Sequence, residues 1–236
     1  YEKRKVEKQD LEIIVDQIRN DELNGVNVTV PFKKEIIPFL DKINAIAKNT
    51  LTVNTLFKIK KEVWGYNTDV SGFADSLNSD QIFDSKNKTI FILGAGGVTS
   101  SIIYNFTNKC KKIYISNRTR NKSEKLKKLY SNSKSQIEVI DWGEKPSKCD
   151  LIINTTSVGL NKDENLGLDF RDYENEKNVL FYDIIYNPKE TNFLKDARLR
   201  GNKILNGRMM FLYQARISFQ IWTGILPEID NEIIKL

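Results

Sequence analysis

The chain has 236 residues and not one of them is histidine. That absence excludes His-based nucleophile triads and most zinc sites, and it leaves proton transfer to Lys, Asp, Glu, Tyr or Cys. Cysteine is nearly as scarce. Cys110 and Cys149 have neither CxxC spacing nor a histidine partner. They read as reduced structural thiols of a cytosolic protein, with no metal site expected. No run of 18 apolar residues occurs, so no membrane-spanning helix and no membrane partner are expected. The charged opening from Tyr1 to Gln9 leads into no apolar signal core. An initiator Met is missing too, so the chain is expected to begin inside a longer protein.

What is present fits a soluble globular class, with 40% hydrophobic and 29% charged residues. The net charge is +6, but the lysines are scattered and form no long basic block. A solvated basic surface is the reading, and nucleic acid is not an expected partner. A modest positive field also suits an anionic substrate and a phosphate-rich cofactor.

Two rhythms follow one another along the chain. Leu11, Ile14, Val15 and Ile18 share a helical face within residues 9–19. Gly25 ends that helix, Val26 to Val30 reads as a short strand, and a helix is expected after Pro31. Leu51 to Ile59 and Glu62 to Tyr66 read as a β-hairpin, and Asp69 stands at the start of the next helix. The polar stretch from Asn78 to Lys88 reads as a linker. Beyond it, apolar runs at Ile90 to Leu93, Lys112 to Ser116, Ile137 to Ile140, Asp150 to Asn154 and Val179 to Ile185 alternate with helical patterns. That alternation implies α/β architecture with a doubly wound parallel sheet. A helix over residues 191–200, a strand near Lys203 to Leu205 and a helix over residues 209–223 complete the pattern.

The strand Ile90–Leu93 runs directly into Gly94-Ala95-Gly96-Gly97-Val98. Glycines there permit a tight turn and close backbone approach, and the following helix offers free N–H groups to a pyrophosphate. Thr99 sits where the GxGxxG pattern has its third glycine. The second strand then decides the cofactor. NAD binders carry an acid about 20 residues on, for the ribose 2′-hydroxyl. This sequence has Asn117, Arg118 and Thr119 instead. A guanidinium binds a 2′-phosphate bidentately, so the expected cofactor is NADP.

Three further blocks bear polar groups: Asn27-Val-Thr29-Val-Pro-Phe-Lys33, Val53-Asn54-Thr, and Gly65-Tyr-Asn-Thr-Asp69-Val-Ser-Gly-Phe73. Singly, each has an ordinary reading as surface lysine, turn former or helix cap. Together, and followed by the GAGG, NRT and NTTSVG blocks, they resemble the shikimate dehydrogenase family from about Gly25 to the C-terminal helix. The resemblance implies a two-domain α/β fold, with a Rossmann-like NADP domain and a substrate domain. It implies that Lys33 and Asp69 flank the reacting oxygen, and that Thr29, Asn54, Tyr186 and Gln214 contact the substrate. It assigns to the cofactor Gly94 to Val98, Asn117 to Thr119, Thr155, Thr156, Ser157, Val158, Ile184, Gly207 and Met210. Met209 replaces a family glycine beside the nicotinamide. The family's first strand carries a Ser-x-Ser pair for the substrate carboxylate, and its place lies before Tyr1.

The expected activity is NADPH-dependent reduction of 3-dehydroshikimate to shikimate in the cytoplasm, by a monomer or homodimer. Expected domains are residues 1–72 with 208–236 for substrate, and 73–207 for NADP. A quinate-accepting or NAD-using dehydrogenase and an inactive NADP-binding regulator remain alternatives on the sequence.

Overall fold

Apolar residues at helical spacing drive the first element, and helix α1 (Leu11–Arg19) buries all of Leu11, Ile14, Val15 and Ile18. The computed structural model describes residues 1–174 and 178–235. Strand β1 (Gly25–Asn27) is shorter than the sequence suggests, although the Val28 amide still donates to the Asn54 carbonyl at 2.8 Å. The helix expected after Pro31 does not form. Residues 30–36 are turns, followed by a 3₁₀ turn at Ile37–Phe39. Pro38 explains the difference: it has no amide to donate, and its ring opposes the carbonyl four residues back.

Strand β2 (Lys42–Ile43) and helix α2 (Ala45–Thr50) follow, the latter capped by the Asn44 side chain. Leu51 takes a left-handed conformation at the helix end. The next strand therefore starts later than expected, as β3 (Thr55–Ile59), and turns back into β4 (Glu62–Tyr66). The antiparallel register closes at Ile59 opposite Glu62. These four strands form one mixed sheet in the order β1-β3-β4-β2. Helix α1 and the sheet share a core of Leu11, Val15, Ile18, Ile36, Val53, Leu56 and Val63.

Helix α3 (Asp69–Asn78) leads to the second sheet, which is wholly parallel. Its elements are β5 (Thr89–Leu93), α4 (Thr99–Phe106), β6 (Lys112–Ser116), α5 (Arg120–Leu129), β7 (Gln136–Ile140), β8 (Leu151–Asn154), β9 (Leu180–Asp183), α6 (Asn192–Leu199) and β10 (Lys203–Asn206). Strand order is β10-β9-β8-β5-β6-β7. The central strands are buried on both faces, as parallel sheets require. Ile90, Ile92, Ile113, Ile115 and Ile153 fill one side, and Phe91, Leu93, Ile152 and Phe181 the other.

Helix α7 (Arg208–Thr223) ends at Gly224, whose φ is +75°. Short α8 (Asn231–Lys235) closes the described chain. Helices α3 and α7 cross at Gly72, where a Cβ would lie 2.7 Å from the Cβ of Gln214 and 2.9 Å from the Met210 carbonyl oxygen. Only a residue without a side chain allows that approach.

Candidate active site

Register brings the ends of the parallel strands level. Ser116 pairs with Leu93, Leu93 with Asn154, Asn154 with Asp183, and Asp183 with Asn206. The segments that follow are residues 117–119, 94–98, 155–158, 184–186 and Gly207. They emerge along one edge, at the carboxyl ends where open parallel sheets bind ligands. The order reverses between β8 and β5, beside the glycine loop.

That loop is built for close approach. Gly94 has φ +106°, and a Cβ there would lie 2.6 Å from the Thr155 hydroxyl oxygen. Thr99 begins α4 and is buried; its hydroxyl meets that of Thr155 at 2.8 Å. The position usually held by the third glycine is thus used to pin the glycine loop to the loop that follows β8. Ala95, Gly96, Gly97 and Val98 are not fully buried, so their backbone is reachable. Thr156 donates to the Asn154 side chain, the Val158 amide donates to Thr156, and Ser157 is exposed between them. Arg118 and Thr119 are exposed and Asn117 is half-buried. Arg120 is committed to Asp141 and Glu124, whereas Arg118 forms no ion pair with a described residue. A glycine cradle plus a free guanidinium one strand over suits a dinucleotide that carries a 2′-phosphate.

Against the glycine loop lies a charged pair. Lys33 and Asp69 are both buried, and Lys33 Nζ donates to Asp69 Oδ2 at 2.6 Å. Asn54 Nδ2 donates to Asp69 Oδ1 at 3.1 Å and to Gln214 Oε1 at 3.2 Å. Asn54 Oδ1 accepts from the Thr68 amide at 2.8 Å. Four residues from the turn after β1, the approach to β3, the start of α3 and the middle of α7 thus share one network. The Lys33 Cδ lies 3.7 Å from where a Cβ on Gly97 would stand, so the pair faces the glycine loop.

Two arrangements therefore meet here: a lysine held by a carboxylate, and a strand–glycine loop–helix of the kind that suits a pyrophosphate. Residues 1–56 match the family model described as the shikimate dehydrogenase substrate binding domain, and residues 77–192 match shikimate / quinate 5-dehydrogenase. A curated shikimate dehydrogenase (NADP(+)) of Pelagibacter ubique is 45% identical over 237 residues, covering 100% of this chain and 86% of its own length. The chain belongs to the shikimate dehydrogenase family. A solved shikimate dehydrogenase in complex with NADP+ superposes with a TM-score of 0.86 at 31% identity, covering 98% of this chain and 80% of its own. The shikimate 5-dehydrogenase of Listeria monocytogenes, in complex with shikimate and NAD, gives 0.86 at 28% identity, covering 98% and 83%.

Within this shikimate dehydrogenase fold some expected site residues stand apart from the Lys33 network. Thr29 is exposed. Tyr186 is exposed and stacks on Phe211 at 4.7 Å between ring centroids. Met210 is buried in the larger core cluster, and Met209 beside it is half-buried. Gly207 lies so close to Ile184 that a Cβ would sit 2.0 Å from the Ile184 carbonyl oxygen.

Other polar residues escaped the sequence reading. Ser218 joins Thr55 at 2.8 Å and Thr68 at 3.2 Å. Asn67 donates to Thr50, Thr52 and Ser101, tying the first sheet's loops to α4. Their signal was one polar residue at a time, in positions that equally suit a surface turn.

Asp183 was missed as well. It is buried at the end of β9 and accepts from Thr191 at 2.7 Å, Asn154 at 3.1 Å and the Ile185 amide at 3.0 Å. Burial pushes its pKa up to about 6, against the pull of those hydrogen bonds. A raised carboxyl pKa means the folded state keeps its proton longer than the unfolded chain. Stability from this group is therefore greatest at low pH and falls as pH rises from about 4 to about 6. Relative to Asp183→Asn, wild type is expected to lose roughly 2–3 kcal/mol over that window, read by urea unfolding at stepped pH. A difference that does not vary with pH would remove the assignment.

Proposed function

We propose that this chain catalyses the reversible reduction of 3-dehydroshikimate to shikimate, a step of aromatic amino acid biosynthesis, with NADP as its cofactor. The observation that carries the reading is the buried Lys33–Asp69 pair joined to Asn54 and Gln214 and facing the glycine loop. Reducing a ketone requires hydride on carbon and a proton on oxygen. NADPH, when bound, supplies the hydride.

The chain's own residues handle the rest. Lys33 gives its proton to the carbonyl oxygen, and Asp69 holds Nζ in place and offsets its charge. Asn54 and Gln214, with Thr29 and Tyr186, orient the hydroxyl-bearing ring. Gly94 to Val98 and the start of α4 hold the pyrophosphate. Asn117, Arg118 and Thr119 take the adenosine end, and Thr155 to Val158, Ile184, Gly207 and Met210 line the nicotinamide side. In this reading residues 1–72 and 208–236 form the substrate unit and residues 73–207 the NADP unit. No described helix is long and apolar enough to cross a membrane. A cytoplasmic monomer or homodimer completes the proposal.

The test follows NADP+ reduction by absorbance with shikimate, beside NAD+ and quinate controls. Turnover with NADP+ and shikimate alone supports the reading; turnover only with NAD+ or quinate overturns it. Arg118→Asp is expected to raise KM for NADP+ by about 10- to 100-fold, the cost of losing a charge-assisted phosphate contact. KM for NAD+ should not rise with it. Equal effects on both cofactors would mean that Arg118 does not read the 2′-phosphate.

A further inference from the structure

Helix α4 meets the loops of the first sheet through polar groups. Ser101 and Asn105 are four residues apart, share a helix face and are both buried. Asn105 Nδ2 donates to the Val70 carbonyl at 2.9 Å, and the Ser100 hydroxyl donates to the Thr50 carbonyl at 2.6 Å. The centre of the contact is Asn67, which is only 3% exposed. Its Nδ2 donates to the hydroxyls of Ser101 at 2.9 Å, Thr52 at 2.8 Å and Thr50 at 2.9 Å. Thr52 donates to Thr50 at 3.2 Å, and Thr50 passes the chain of bonds to the Ile46 carbonyl at 2.9 Å. Apolar faces tolerate small slides past one another. Hydrogen bonds have preferred directions, and a buried network whose members are satisfied is rigid.

Asn67, Thr52 and Ser101 each stand two residues along the chain from a group of the site. Asn67 precedes Asp69, the first residue of α3. Thr52 precedes Asn54, which donates to Asp69 and Gln214. Between them, the Val53 amide donates to the Lys33 carbonyl at 2.8 Å. Ser101 follows Thr99, which opens α4 and meets Thr155. One carboxamide therefore bridges the segments that carry Asp69, Asn54 and the helix behind the glycine loop.

We infer that Asn67 is a positioning residue for the reaction: by joining Thr52 to Ser101 it sets where the Lys33–Asp69 pair stands relative to the bound cofactor. The inference rests on the reduction proposed above and adds to it a residue that acts through its neighbours. Hydride reaches carbon from the cofactor while the proton reaches the adjacent oxygen from Lys33. The two deliveries come from different parts of the chain and must be aligned at once. A misplacement of about 1 Å can cost about 10² in rate. Binding of either ligand by itself needs no such alignment, so Asn67 acts on the chemical step and not on affinity.

The test measures the single-turnover rate of NADPH formation from NADP+ and saturating shikimate, which reports the chemical step. Asn67→Ala is expected to lower that rate by about 10- to 100-fold. NADP+ binding, read by calorimetry without substrate, and KM for shikimate should stay near wild type. Ser101→Ala removes one bond of the network, carries less risk to folding and should lower the rate in the same direction by less. Ser135→Ala controls for lost stability. Ser135 is buried and donates to the Phe106 carbonyl at 3.0 Å and the Cys110 carbonyl at 2.7 Å, at the far end of α4. It should lower Tm without moving the rate. A folded Asn67→Ala that keeps the wild-type rate, or that loses only NADP+ affinity, overturns the inference and leaves the proposed function standing. Should Asn67→Ala not fold, an unchanged rate in Ser101→Ala overturns it equally. No turnover by wild type overturns the proposed function and this inference together.

Discussion

Replacing Lys33 with alanine lowers kcat for shikimate oxidation by about 10²–10⁴, the usual worth of a positioned general acid or base. With no histidine in the chain, no neighbouring imidazole can take over the proton. The lysine is also held more firmly than a surface residue would be. Its Nζ is 2.6 Å from Asp69, and both side chains are buried. Removing it strands the Asp69 carboxylate beside Asn54, and breaking a buried pair in this way costs about 3–5 kcal/mol of stability. The two consequences separate by measurement. Thermal unfolding shows whether the variant is folded at the assay temperature, and kcat is then read on folded protein. Lys33→Met, which fills the space without the charge, gives a second reading at lower risk of leaving a cavity. A folded variant with near wild-type kcat would remove Lys33 from the chemistry.

Gly94→Ala carries the second large effect. At φ +106° a side chain is strained before any contact is considered. The added Cβ would also meet the Thr155 hydroxyl at 2.6 Å and Thr156 Cγ2 at 3.0 Å. Thr155 has little room to yield, since its hydroxyl donates to the Leu93 carbonyl at 2.8 Å and also meets Thr99. Strain and overpacking together cost roughly 3 kcal/mol, or about 6–12 °C in Tm. Gly143→Ala is the matched control. Its φ is +104°, yet nothing lies within 4 Å of the new atom. It should show the strain alone, about 1 kcal/mol. Gly94→Ala should in addition weaken NADP+ binding, because the loop must shift to admit the methyl group. If the two variants melt alike, close packing against Thr155 is not what demands glycine at position 94.

The sequence made the parallel sheet legible because its strands are buried on both faces and read as apolar runs such as Ile90-Phe-Ile-Leu93. It made the cofactor loop legible because glycine after such a run has few other uses. The substrate side was harder. Lys33 and Asp69 are 36 positions apart and each has an ordinary solitary reading; only the match of several blocks in order gave them a joint role. Residues 30–36 form turns where a helix is expected after Pro31, because Pro38 overrides it. Asp183, Asn67 and Ser218 were not singled out, because a buried polar residue is recognised by partners that sequence does not display.

The position of α7 has a consequence for biosynthesis. The first sheet is translated before the parallel sheet, but Gln214 and Ser218, which bond to Asn54, Asn27, Thr55 and Thr68, belong to a helix translated after it. The nascent chain must therefore carry that half unfinished, with the face of α3 at Gly72 uncovered, throughout synthesis of the parallel sheet. The sheet that is translated first is the last to be complete, and a ribosome stalled before residue 208 holds the Lys33–Asp69 pair without the helix that bonds to Asn54.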